Sequence, residues 1–206
     1  MEKSEFILKN PFFFKGEGLR LIFMLSFLVS ATTARAQSQN LGEYDVEAAF
    51  LSNFGKFVEW PANAFPSPGQ PIVIGIYGEN PFQGSLTDIV HGRTINGHQI
   101  VVQSVSFNSV QNCQLLYISP TEEKNLVAVV RKLNGVSVLT VTENVDPAQS
   151  GAMINFVTRN HQIRFEINDA AARRAGLRIS SKLLSLAVKI AVNPPQTHAL
   201  LCERSP

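Results

Sequence analysis

The sequence predicts an α/β layered single domain, with a mixed, mostly parallel β-sheet flanked by α-helices on both faces. Three observations carry this. Segments with an apolar period near 3.6 alternate with short apolar runs bounded by turn residues. Two of those runs, Ile72 to Tyr77 and Cys113 to Ser119, are apolar on both faces, as central parallel strands covered by helices are. Two further stretches, around Asn96-Gly97 and around Arg159-Asn160-His161, have the form of hairpins and supply the antiparallel part.

Taken in order, Tyr44 to Trp60 reads as a helix with Val46, Ala49, Phe50, Phe54, Phe57 and Val58 on its apolar face. Pro61 stops it by disfavouring helical backbone at Trp60. Pro66, Pro68, Gly69 and Pro71 mark a loop before the strand Ile72 to Tyr77. Asn80 then caps a helix with Pro81 in its first position, Phe82, Leu86, Ile89 and Val90 inward and Gly92 at its end. Arg93 to Ile95 and His98 to Val105 form the first hairpin. After the strand Cys113 to Ser119, Ser119-Pro120-Thr121-Glu122 has the pattern of a capping box. Its helix uses Leu126, Val129, Val130 and Leu133 and stops at Asn134-Gly135.

Val136 to Thr142 is the next strand, followed by the hairpin of Ala152 to Thr158 with Gln162 to Ile167. Asn168 or Asp169 caps a short helix that Gly176 ends. Ser180 or Ser181 caps a last helix, with Leu183, Leu184, Leu186, Ala187 and Ile190 as its apolar stripe. Asn193-Pro194-Pro195 ends it, and residues 193–206 form a loose tail.

Residues 1–36 read as a cleaved secretory signal. Lys3, Lys9, Lys15 and Arg20 precede the apolar run Leu21 to Ala31, and Ala34-Arg35-Ala36 offers small residues to a signal peptidase. The run is short of the ~20 residues a spanning helix needs. The long polar lead points to a start codon further downstream. Residues 37–206 then form the domain, with a periplasmic location. Five of the 18 Lys and Arg and three of the 16 Asp and Glu lie in the leader, which leaves 13 of each sign in the domain. That balance excludes a nucleic-acid surface.

Cys113 and Cys202 are the two cysteines, and export permits a disulfide between them; sequence leaves paired and unpaired equally open. His91, His98, His161 and His198 show no metal-ligand spacing, so no metal and no cofactor is expected. The turn Gly78-Glu79-Asn80-Pro81 lacks the glycine pattern of a nucleotide loop. Glu59 and Glu166 are the two acids expected in apolar surroundings. A hydrolase built on them is the weakest reading; an ion pair of Glu166 with Arg164 or another Arg is the plainer one. Glu59-Trp60-Pro61 combines the chain's one Trp with a helix end and a Pro-rich loop. Trp60 there is either core closure or a binding hot spot. Arg173, Arg174 and Arg178 read as a solvated face.

Phe165-Glu166-Ile167-Asn168, the Ala-rich turn, Ala175-Gly176-Leu177 and Ile179-Ser180-Ser181-Lys182-Leu183-Leu184-Ser185-Leu186-Ala187 resemble the C-terminal signature of the YfiR-like family. Asn53 to Pro61, Ile74 to Phe82, Cys113 to Ile118, Val138 to Val141 and Gly151 to Phe156 fit in order. The resemblance implies a non-catalytic periplasmic protein. It would bind the periplasmic domain of an inner-membrane diguanylate cyclase and hold it off, lowering cyclic di-GMP. It also implies sequestration by an outer-membrane lipoprotein, a domain able to form a homodimer, and disulfides that tune stability. The breadth of the family leaves a sensor kinase as the other partner class. The family-type partner of the strand cysteine would fall within Ile74-Gly75-Ile76, where no Cys occurs, and a second close Cys pair is also missing. The expected contact residues are Glu59, Trp60, Pro61, Arg164 and Glu166. The rival function is a periplasmic small-molecule carrier or sensor with a pocket near Tyr77 to Phe82.

Overall fold

A computed structural model describes residues 42–190, except residue 68. The leader, the tail 193–206 and Cys202 lie outside the described residues. In chain order the elements are α1 (residues 42–54), β1 (Val58–Glu59), β2 (Ile72–Tyr77), α2 (Ser85–Val90), β3 (Thr94–Ile95), β4 (His98–Val105), β5 (Leu115–Ile118) and α3 (Leu126–Lys132). They continue as β6 (Leu139–Glu143), α4 (Pro147–Ser150), β7 (Ile154–Arg159), β8 (Gln162–Ile167), α5 (Asp169–Arg174), β9 (Arg178–Ile179), α6 (Ser181–Leu184) and β10 (Lys189–Ile190).

Eight strands form one sheet in the order β3-β4-β2-β5-β6-β7-β8-β10, and β1 pairs with β9 in a small separate ladder. The pairings β4-β2, β2-β5, β5-β6, β6-β7 and β8-β10 are parallel. Within that sheet the two hairpins, β3-β4 and β7-β8, are antiparallel, as is the separate β1-β9 ladder. The sheet is thus mixed and mostly parallel, as predicted.

Two apolar clusters, one per face, hold the layers. On the first face Ile74, Ile76, Leu115, Tyr117, Leu139 and Phe156 meet Ala48, Leu51 and Phe54 of α1, Leu86 and Val90 of α2, and Ala171 and Ala172 of α5. On the second, Val73, Tyr77, Leu116 and Ile118 meet Leu126 and Val129 of α3. Neighbouring residues of β2 and of β5 thus point to opposite faces, and both faces are buried. Under α1, Phe50 and Phe54 lie against Phe156 and Phe165 with ring centroids between 5.3 and 6.1 Å. Each such aromatic pair adds about 0.5–1.5 kcal/mol beyond the area it buries.

Local chemistry sets the turns as the sequence predicts. Asn96 and Gly97 both adopt positive φ, 52° and 84°, the conformation a two-residue hairpin requires. Asn168 Oδ1 accepts the Ala171 amide, and Ser180 Oγ accepts the Leu183 amide. Ser119 Oγ accepts the Thr121 amide, but Glu122 turns to Asn125 instead of closing a capping box, and a 3-10 segment, Pro120–Asn125, precedes α3.

Two helices, the first and the last, differ most from the prediction. The first helix ends at residue 54; a 3-10 turn, Gly55–Phe57, follows, and Val58 and Glu59 pair with Ile179 and Arg178. The cause is tertiary: at Gly55 a Cβ would lie 2.8 Å from Ile95 Cδ1, and Phe57 O accepts the Ser180 amide. The inward stripe of α1 is also rotated. Glu47, Ala48 and Leu51 are buried, while Val46 is 44% exposed. The last helix is a single turn, because the Val188 amide bonds to Phe165 O and Lys189–Ile190 joins β8 as an edge strand. Leu186 and Ile190 are accordingly exposed. Beyond these, α2 begins at Ser85, since Asn80 Oδ1 takes the Phe82 amide in a local turn rather than capping the helix.

Candidate functional site

From β2 the chain crosses to β4 on one side of the sheet, and from β5 to β6 on the other. The carboxyl ends of β2 and β5 therefore flank the topological switch point, where open α/β sheets form their ligand crevices. Four polar side chains gather there under α1. Tyr44 and Glu47 are three residues apart and share a helix face. Tyr117 is the third residue of β5, and Glu143 ends β6. Phe82, in the turn after β2, closes the aromatic side, with ring centroids 4.8 Å from Tyr117 and 6.0 Å from Tyr44.

The Tyr117 hydroxyl donates to Glu143 Oε2 at 3.2 Å, and the Tyr44 hydroxyl supports the same carboxylate. Burial nevertheless holds Glu143 above the ordinary carboxylate range. Glu47 is 1% exposed and its Oε2 has no hydrogen-bond partner. Burial first, then the carboxyls of Glu143 and Glu43, push it up to about 9. Burial likewise raises Tyr117, and with the neighbouring Glu143 and Glu47 raises Tyr44 to about 12. At neutral pH the cluster thus holds a neutral Glu47 carboxyl beside two phenols. It can store a proton. No group of three His, Cys, Asp or Glu suited to a metal ion occurs among the described residues.

The residues singled out in the sequence fall elsewhere. Glu59 is exposed and forms a 3.8 Å ion pair with Arg178 across β1 and β9. It is not held in apolar surroundings; among the described residues the buried acids are Glu47 and Glu166. Trp60 is half-buried, its Nε1 donates to Gln114 O at 3.3 Å, and its ring meets Phe65 edge-on at 6.3 Å. Pro61 is half-buried beside it. Gln114 precedes β5, so this trio sits at the amino ends of the parallel strands, opposite the switch point. Arg164 is exposed and bonds Gln162. Glu166 is buried on β8 and paired with Arg159 at 2.9 Å, so another Arg, not Arg164, is its partner. No described hydrogen bond or ion pair joins Glu59, Trp60 and Pro61 to Arg164 and Glu166.

Cys113 is buried and free, and its Sγ donates to Val110 O at 3.2 Å. Burial pushes its thiol up to about 12, which removes thiolate reactivity. In the turn after β2, where the rival carrier reading puts its pocket, Gly78 is closely packed: a Cβ there would lie 2.6 Å from Glu122 Cγ. A groove of about 490 Å³ lies at the other end of the sheet, lined by Asn63, Gln70, Gln111, Gln114 and Ser137.

Two solved structures are similar to part of the chain. A conserved domain protein from Vibrio cholerae O1 biovar El Tor matches at 14% identity and a TM-score of 0.41, over 58% of this chain and 54% of its own. The ABC domain in complex with L-Trp from Streptococcus pneumonia matches at 13% identity and a TM-score of 0.42, over 58% and 55%. The chain spans about half the length of each, and likenesses at this distance carry no weight for function. The model of the family described as YfiR/HmsC-like, in contrast, matches residues 44–188, from the third residue of α1 to the residue before β10. The chain belongs to the YfiR/HmsC-like family.

Proposed function

We propose that this protein is an exported, non-enzymatic periplasmic regulator that controls a membrane signalling enzyme by contact, holding off a diguanylate cyclase. The observation that carries this is the family match over residues 44–188, essentially the whole described domain. The family is periplasmic, is associated with regulation of diguanylate cyclases and is linked to membrane cyclase partners. Residues 1–36 act as the cleaved signal and residues 37–206 as the regulatory domain. Among the described residues no helix is long and apolar enough to cross a membrane. The exposed Glu59 and Arg164 are proposed as partner contacts, with Trp60 and Pro61 shaping the surface beside Glu59 and Glu166 positioned by Arg159. An outer-membrane lipoprotein and a second copy of the chain are further partners in this reading.

Deleting the gene in its own host tests the proposal. Cellular cyclic di-GMP rises and returns to its starting level when the exported chain is restored. An unchanged level, with the protein confirmed as expressed in the parent strain, contradicts it.

A further inference from the structure

We propose that Glu47 is a proton-controlled latch for the first turns of α1: with its carboxyl neutral the helix seats on the sheet ends, and ionised against Glu143 and Glu43 it lifts. The inference stands independently of the cyclase reading.

The geometry gives α1 two unlike anchors. Its C-terminal half is held by Leu51 and Phe54, with Phe50 and Phe54 packed against Phe156 and Phe165. None of these groups titrates. Its N-terminal half is held at Tyr44 and Glu47, over Tyr117 and Glu143. Every ionisable group acting on Glu47 carries negative charge when ionised. Glu43 and Tyr44 come from α1 itself, Tyr117 from β5 and Glu143 from β6; Phe82, from the turn after β2, is uncharged. No Lys, Arg or His among the described residues acts on it.

A carboxylate in that position has no counter-ion and an oxygen without a donor. Ionisation therefore demands water, and the route to water is movement of residues 42–48 away from the sheet. Neutral, the same carboxyl is accommodated. The direction follows: the seated form binds the proton more tightly than the lifted form, so a rise in pH favours lifting. The change runs from the ordinary value of 4.5, which the lifted carboxyl takes, up to about 9, where burial and like-charge neighbours place the seated one. Lifting uncovers Tyr117 and Phe82 at the switch point, while the phenylalanine cluster keeps the helix tethered.

Hydrogen–deuterium exchange on the protein as the cell processes it tests this, at pH of about 7 and about 10 with intrinsic amide rates divided out. In the wild type, protection of residues 44–50 relative to residues 115–118 falls by up to about tenfold per pH unit as Glu47 ionises. In Glu47→Gln the ratio stays constant. Constant protection in the wild type, or an equal fall in Glu47→Gln, overturns the latch. Glu143→Gln, which removes the main like charge and keeps a hydrogen-bonding group, serves where Glu47→Gln does not fold. It must make the fall smaller and end it at lower pH, because removing the like charge brings Glu47 back toward the ordinary carboxylate range, and an unchanged profile also overturns the proposal.

Discussion

Gly75 and Cys113 meet at contact distance between β2 and the residue two before β5: a Cβ on Gly75 would lie 3.3 Å from Cys113 Cβ and 2.9 Å from its Sγ. The stretch Ile74-Gly75-Ile76, which the family resemblance marks as facing the strand cysteine, does face it, and glycine occupies the facing position.

Gly75→Cys is therefore expected to form a disulfide with Cys113. Disulfide-bonded Cβ atoms sit about 3.5–4.5 Å apart, so a shift of a few tenths of an ångström suffices. Closing the loop from residue 75 to residue 113 stabilises the fold by up to about 4 kcal/mol on the chain-entropy account, less any strain. Intact mass without reductant and thermal unfolding with and without it provide the check. A variant that keeps all three of its thiols free after oxidation, Cys202 being the third, would refute this geometry.

Trp60→Ala is expected to cost about 1–3 kcal/mol, because the half-buried indole loses its bond to Gln114 O and its contact with Phe65. Urea unfolding measures it. A change within about 0.5 kcal/mol, together with loss of partner binding, would make Trp60 a contact residue rather than part of the core.

Arg159 and Arg164 both lie on the outer hairpin, but only Arg159 compensates a buried carboxylate. Arg159→Ala leaves Glu166 buried without its ion pair and is expected to cost about 1–2 kcal/mol, discounted because Arg159 is 56% exposed. Arg164→Ala is expected to stay within about 0.5 kcal/mol, while weakening partner capture if Arg164 is a contact. Equal costs for the two variants contradict this assignment.

Glu47 makes global stability pH-dependent as well. Its value in the fold, about 9, lies above the ordinary 4.5, so its contribution is fully present below about pH 4.5 and is lost as pH rises toward 9. The slope is at most about 1.4 kcal/mol per pH unit for one proton. Glu47→Gln flattens that slope and gains its largest advantage above pH of about 8. Unfolding midpoints across that range decide it, and a wild type as stable at the alkaline end as at the acid end rules the effect out.

Elements fixed by neighbouring residues were legible in the sequence. The Asn96-Gly97 hairpin, the Asn168 and Ser180 caps, and the two-sided apolar strands each follow from residue chemistry within a few positions. Elements fixed by distant partners were not. Val58 and Lys189 sit in patterns that continue a helix, yet Ile179 and Glu166 draw them into strands. The acid cluster was hidden for a related reason. Glu47 in an amphipathic helix reads as solvent-facing, and Glu143 at a strand end reads as a loop acid; only the sheet order brings them together. One local signal existed: the spacing Tyr44, Ala48, Leu51, Phe54 and Val58 places Glu47 inside the stripe.

Contact with a membrane signalling enzyme is tested most directly by crosslinking the tagged, exported chain in the periplasm of its own host and identifying the captured proteins by mass spectrometry. The account predicts reproducible capture of a membrane diguanylate cyclase, reduced when Glu59 and Arg164 are replaced together by Ala. Capture of the chain alone, with a small molecule retained through mild purification, would contradict it and support a carrier.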